Sequence, residues 1–414
     1  MKTKRLISAV LAVTILFLTA CRTAFPSAEE EPVPPPQDTA EYITGDYELY
    51  PEEFEPVSLE DFVAYTLETR SGRIRGLSMA VFTRDDIIFE LQYGYADTEA
   101  GIAIDSDTVF QWASVAKLLV YVSAMQLYER GKLNFHADIF TYIPAGNFPN
   151  IRYPVTMHRL INHTAGLSDS AVPSYLSAAV PTGEDVPALG DYLSSVFRGA
   201  EIQTSRPGTR VEFSNYGIAL AGYVIERISG IPFYEYVHEN IFAPLGMYHT
   251  ALRPDLSDNP WVNRQRDVIR TYDQSGLIHA HRIQFAGYPT AMATGTISDM
   301  IKFARALMPD QNGASILFEC PQTLLKLFPA HEEIADIEED TITGVRFFNG
   351  FIVFPAGGES ARVLGHLGGF RGFASRLLVD IDNGIGIVMS ENKDWGLLTV
   401  GAFTTGLNEL VFVG

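Results

Sequence analysis

Two β-hairpin patterns stand at opposite ends of the chain, with a long helical stretch between them. The first, "LSMAVFTRDDIIFELQYGYAD" from Leu77 to Asp97, reads as two strands around the turn Arg84-Asp85-Asp86. The second, "SRLLVDIDNGIGIVMSEN" from Ser375 to Asn392, carries Asn383-Gly384 at its tip, the dipeptide a two-residue type I′ turn wants. Between them, residues 110 to about 308 follow helical spacing, in Ser114 to Gly131, Thr156 to His163, Tyr216 to Gly230 and Ser298 to Met308. The simplest architecture puts the N- and C-terminal strands side by side in one sheet. The expected class is α+β: an antiparallel sheet from both chain ends flanked by helices, with an inserted all-helical subdomain at roughly residues 130–300. A helix opened by Ser58, with Leu59, Phe62, Val63 and Leu67 in helical register, precedes the first strand. With 414 residues, 47% of them apolar, the chain can bury a substantial core, and it shows no internal repeat.

The start of the chain carries different signals. Lys2, Lys4 and Arg5 precede the apolar run Leu6 to Leu18 and the small-residue end Thr19-Ala20, the pattern of an export signal. The run is short for a membrane span. Cys21 follows, and "LTAC" resembles a bacterial lipobox, which implies cleavage after residue 20 and lipid on the Cys21 thiol. Residues 21–56 are acidic and Pro-rich, as suits a solvated tether, and 57–414 form the expected domain. Thirteen Asp or Glu and no Lys or Arg fall between Thr23 and Thr69. With a formal net charge of −20 there is no basic stripe for nucleic acid. Cys320 is the only other cysteine, so a lipidated Cys21 leaves no intramolecular disulfide. The expectation is a lipid-anchored domain facing outside the cytoplasm of a bacterium.

Chemistry concentrates at "FQWASVAKLLVYVSAMQLYERGKL", where an otherwise apolar helix carries Lys117 one turn after Ser114. A serine hydroxyl needs something to take its proton, and a neutral amine three residues on along a helix lies beside it. A helix cap with a lysine reaching for solvent explains the pair equally well when it stands alone. Ser390-Glu-Asn-Lys393 shows how cheap that spacing is. Two further segments shift the balance: "RPGTRVEFSNYGIALAGYVIERISG" and "GHLGGFRGFASRLL".

Ser114-Val-Ala-Lys117, Phe213-Ser214-Asn215 and His366-Leu367-Gly368 resemble the three motifs of the penicillin-recognising serine hydrolases, Ser-x-x-Lys, Tyr-x-Asn and Lys/His-x-Gly. The nearest group is that of class C β-lactamases, D-alanyl-D-alanine carboxypeptidases and related esterases. "INHTAGL", "PGTRVEFSN" and "ENIFAPLGM" are similar to connecting segments of that group, so the likeness runs over roughly residues 57 to 395. The resemblance implies Ser114 as acyl-forming nucleophile, Lys117 as its proton partner and Asn215 on the substrate amide or the lysine. It implies His366 and Gly368 on the strand edge along which substrate lies, with the N–H groups of Ser114 and Gly369 as oxyanion hole. A small-molecule or peptide substrate and no cofactor follow from it.

One position departs from the pattern. Phe213 stands where the family has a tyrosine, and a benzyl ring cannot carry a proton, a role typically worth about 10²- to 10⁴-fold. Three consequences are open: Lys117 acts as base alone, Tyr216 takes over although helix geometry aims it elsewhere, or turnover is lost and a binding or sensor lipoprotein for peptidoglycan-like peptides remains. Other signals are weaker. His279 and His281 lack companions at ligand spacing, and His331 lacks the second histidine of a zinc helix, so no metal is expected. No Gly-x-Ser-x-Gly elbow exists. Phe347-Phe348 and Trp395 read as core or as rim of the cleft.

Overall fold

The structure is a computed structural model. It describes residues 58–412 apart from 71, 73, 173–178, 182, 274, 275, 277, 280–282, 311, 331, 332, 334–336, 339–345, 356–361 and 394–410. The signal segment, Cys21, the tether, His281, His331 and Trp395 therefore lie outside the described residues, as does the side chain of His279.

Eight strands form the main sheet. From the N-terminal side come β1 (Gly76–Thr83), β2 (Ile87–Asp97) and β3 (Ile102–Ala103); from the C-terminal side come β4 (Arg346–Phe348), β5 (Phe351–Pro355), β6 (Arg362–Phe370), β7 (Phe373–Asp380) and β8 (Ile385–Glu391). The spatial order is β4-β5-β6-β7-β8-β1-β2-β3, all antiparallel. The β1–β8 pairing, from Leu77↔Glu391 to Thr83↔Ile385, joins the two ends of the chain, so the fold is the expected α+β sheet flanked by helices. Alternation along β1 explains why both faces are covered. Met79 and Val81 point to a layer containing Phe62 and Val63 of helix α1 (Leu59–Arg70), while Ala80 and Phe82 point to the large helical layer. Ser58 starts α1 as read from sequence, its Oγ accepting from Asp61 N–H at 3.1 Å.

The two hairpin turns differ from each other. At Arg84-Asp85-Asp86 the chain turns around Thr83, whose Oγ1 accepts from the N–H groups of Asp85 and Asp86 at 3.3 and 3.0 Å. At the other hairpin the expected two-residue type I′ turn is absent. Residues 381–384 form a four-residue loop in which Gly384 alone takes positive φ (+68°). The side chain of Asp380 explains the longer loop, since its Oδ1 accepts from both Asp382 N–H and Asn383 N–H at 3.0 Å.

The helical layer holds α2 (Lys117–Glu129), α3 (Met157–Ile161), α4 (Leu189–Gly199), α5 (Asn215–Ser229) and α6 (Ile297–Ala306). Every residue of α2 from Lys117 to Leu127 is buried, the placement that a helix apolar on all faces requires. Thr156 and Thr296 cap α3 and α6, and α5 stops at Gly230 in the left-handed region at φ +80°. No helix among the described residues is long and apolar enough to cross a membrane.

Candidate active site

Ser114 does not begin an α-helix. It is the second residue of a 3₁₀ turn, Ala113–Ala116, and Lys117 is the first residue of α2. Ala113 precedes it in the left-handed region at φ +48°, a strained backbone that an alanine adopts only where its surroundings enforce it. The tighter turn still brings serine and lysine together: Lys117 Nζ donates to Ser114 Oγ at 2.8 Å and to the carbonyl oxygen of Thr290 at 3.0 Å. Lys117 has no solvent exposure, which removes the solvent-reaching alternative. Burial brings its pKa down from the usual lysine range to about 7, against the opposing charge of Asp169. An amine so placed is substantially neutral at neutral pH.

The second motif is organised by a residue that the sequence reading missed. Asp169, half-buried, accepts from Ser214 Oγ (2.9 Å), Asn215 N–H (2.9 Å), Asn215 Nδ2 (2.8 Å) and Tyr216 N–H (3.2 Å). Burial pushes its pKa up and these donors hold it down. The carboxylate thus occupies the N-terminus of α5, where free N–H groups and the helix dipole favour negative charge. The only hint in sequence is its place two residues after "INHTAGL". Asn215 reaches the lysine environment through Asp169, since its side-chain amide donates to the carboxylate that Lys117 feels.

Phe213 lies over the lysine, its ring centroid 5.4 Å from Nζ. A second missed residue, His163, stacks on that ring at 4.7 Å between centroids, and Phe347 meets both rings at 4.6 and 6.1 Å. Phe347 therefore borders the site, as one of its two sequence readings held. Tyr216 does not substitute for the missing phenol. It is buried against Phe197 of α4 and hydrogen-bonds to Tyr192, and burial pushes its pKa above the phenol range.

The third motif runs along β6. Pairing of β5 with β6 ends at Ile352↔Gly365, short of the edge from Leu367 to Phe370 that the resemblance assigns to substrate. His366 is wholly buried beneath it, with Nδ1 2.6 Å from the Leu367 carbonyl oxygen. Burial, then the charge of Lys117, brings its pKa to about 3, so the imidazole is neutral. Gly368 lets β6 approach the serine turn: a Cβ there would sit 2.4 Å from the Trp112 carbonyl oxygen and 3.0 Å from Ser114 N. Gly369, next on the strand, is partly exposed. Ser114, Lys117 and Phe213 thus converge by direct contact, His366 and Gly368 close on them from β6, and Asn215 joins through Asp169.

Comparison with known proteins gives a family and a fold. The Beta-lactamase family model matches residues 59–396. Penicillin-binding protein 4 of Amycolatopsis lactamdurans is 25% identical over 61% of this chain and 65% of its own length. For penicillin-binding protein 4* of Bacillus subtilis the figures are 23%, 75% and 66%, so the chain spans just under two thirds of the length of these relatives. Esterase EstB of Burkholderia gladioli is 28% identical over 49% of this chain and 54% of its own. Among solved structures, D-amino acid amidase of Ochrobactrum anthropi has the same fold, with a TM-score of 0.66 at 21% identity over 85% of this chain and 99% of the other. A penicillin-binding protein from Bacillus halodurans gives 0.65 at 25% identity, over 83% and 98%.

Proposed function

Because the chain belongs to the β-lactamase family, we propose that it is a serine hydrolase that forms an acyl-enzyme on Ser114 from an amide, β-lactam or ester carbonyl. The observation that carries this reading is the 2.8 Å contact between Ser114 Oγ and a fully buried Lys117 whose pKa falls to about 7. In the proposed mechanism the neutral Lys117 amine takes the hydroxyl proton as Ser114 Oγ attacks the carbonyl carbon. The N–H groups of Ser114 and Gly369 hold the resulting oxyanion. The Lys117 ammonium then returns the proton to the leaving nitrogen or oxygen, and the carbon–heteroatom bond breaks. Water then attacks the acyl carbon while giving up a proton to Lys117, the bond to Ser114 Oγ breaks, and Lys117 returns that proton to Ser114 Oγ as the acid leaves. Neutral His366 keeps a second positive charge away from the lysine, and Asn215, held by Asp169, faces the substrate amide.

Phe213 favours a second reading, a binding or sensor protein for peptidoglycan-like peptides in which the acyl-enzyme turns over slowly or does not form. Intact-mass measurement of the full chain, exposed to a penicillin, a D-Ala-D-Ala peptide and an activated ester, separates the two. The expected result is an adduct that forms, decays and is absent from Ser114→Ala. A wild-type chain that never gains mass, and is not labelled by a fluorophosphonate, overturns the hydrolase reading.

The proposal extends to location. A signal ending at Ala20 and lipid on Cys21 would hold the domain at a bacterial membrane, outside the cytoplasm, on the acidic tether 21–56; the support is the sequence alone. Cys21→Ser is expected to move the protein from the membrane fraction to the soluble fraction and to end incorporation of labelled fatty acid. Unchanged fractionation counts against the anchor.

A further inference from the structure

His163 sits at the centre of the aromatic group over Lys117, and the roles assigned above leave it unused. Its backbone is left-handed (φ +57°), uncommon outside glycine, and its side chain is almost wholly buried. A backbone amide can only donate, so the 3.1 Å contact from Ser214 N–H makes His163 Nδ1 an acceptor. In the neutral ring the proton is then on Nε2, which meets no hydrogen-bond acceptor among the described residues. The same imidazole stacks on Phe213 and touches Phe347. Two contacts thus lock residues 213 and 214 from one side chain: one on the ring of Phe213, one on the peptide that follows it.

We propose that His163 is a positioning residue that holds the Phe213 ring over Lys117, so that a water-excluding aromatic lid stands where a phenol would otherwise meet the amine. The inference rests on the proposed role of Lys117 as base. It accounts for how a site without that phenol keeps a usable amine: the ring displaces water from Nζ, and loss of hydration disfavours the ammonium form. His163 suits the task because it stays neutral. Protonation would have to occur at Nδ1, breaking the bond from Ser214. Burial, then the charges of Lys117 and His366, holds its pKa well below the usual histidine range. Asp169 also acts on this cluster and opposes the shift on Lys117.

Two variants separate the contacts. His163→Asn keeps an acceptor near Nδ1 and tolerates the left-handed backbone, but loses the stack; His163→Phe keeps a ring and loses the acceptor. The measurement is a pH titration of the Lys117 side chain by NMR in the full chain with ε-¹³C-lysine, the signal assigned by its loss in Lys117→Arg. Each variant is expected to raise the Lys117 midpoint by at least about half a unit, leaving roughly half as much neutral amine at pH 7. Phe213→Leu should raise it too, and His163→Asn combined with Phe213→Leu should add little, because the histidine acts through the ring. Folded variants whose thermal transition drops while the midpoint stays at the wild-type value overturn the proposal. The titration needs no turnover. A moved midpoint in a protein never acylated on Ser114 sinks the hydrolase reading alone, and an unmoved one in an acylated protein sinks the positioning role alone.

Discussion

Lys117 and Glu391 are both ionisable groups with no solvent exposure, on opposite faces of one sheet, yet their surroundings differ completely. Lys117 touches Ser114 Oγ and Thr290 O, lies under an aromatic ring and answers to Asp169. Glu391 follows Ile387 and Met389 on the face that carries α1, and neither of its carboxyl oxygens has a hydrogen-bond partner among the described residues. Burial pushes its pKa up to about 8, against the opposing charge of Lys393, so it is largely a neutral acid at pH 7. Desolvation moves both groups by similar amounts in chemically opposite directions. A perturbed pKa therefore does not mark a site; convergence with a nucleophile does.

The largest test of this contrast is on acylation. Lys117→Ala should cut the rate of adduct formation on Ser114 by about 10²- to 10⁴-fold, whereas Glu391→Gln should leave it within about twofold. Equal losses in both variants would erase the distinction. Next comes Gly368→Ala, whose Cβ has no room beside the Trp112 carbonyl. It should displace the serine turn and slow acylation by roughly 10²-fold with a smaller effect on folding, measured by adduct kinetics alongside thermal unfolding.

The pH profile comes third. Neutral Lys117 is the reactive form, so the acylation rate should rise about tenfold per unit below pH 7 and level off above it. A flat profile between pH 5 and 8 contradicts the assignment. Stability responds with opposite signs at the two residues. The Glu391 pKa is raised from 4.5 to about 8 in the folded chain, so the unfolded chain loses its proton first and stability falls as pH rises from 4.5 to 8. The Lys117 pKa is lowered from 10.5 to about 7, so the unfolded chain holds the extra proton and stability rises from pH 7 to 10.5. Glu391→Gln should therefore match wild type near pH 4.5 and exceed it at pH 8 by up to about 5 kcal/mol, as read by denaturant titration. The smallest effect concerns the missing phenol. Phe213→Tyr should raise ester turnover only severalfold, because the lysine is already close to neutral; a fall would mean that the new hydroxyl disturbs the His163 stack.

How much of this was legible in the sequence depended on the range of each interaction. Local patterns carried the two hairpins, the helix opened by Ser58 and the helical stretches from Thr156 and up to Gly230, because propensity and capping act over a few residues. The turn at 381–384 escaped because one side chain, Asp380, overrode the preference of the Asn-Gly pair. Asp169 and His163 escaped because each acts on residues more than forty positions away, and the segment INHTAGL, which contains His163 and ends two residues before Asp169, does not name their roles.

By itself, the sequence determined the class of fold and the types of groups available: alternation and helical periodicity are written one residue at a time, and the three motifs name a hydroxyl, an amine, an amide and an imidazole. Only the tertiary structure decided that the amine is dry, that the imidazole at 366 is neutral, and that a histidine and a phenylalanine stand over the lysine in place of a phenol. Those properties are set by what surrounds each group in space, because hydration and electrostatic energy depend on distance through the fold and not along the chain.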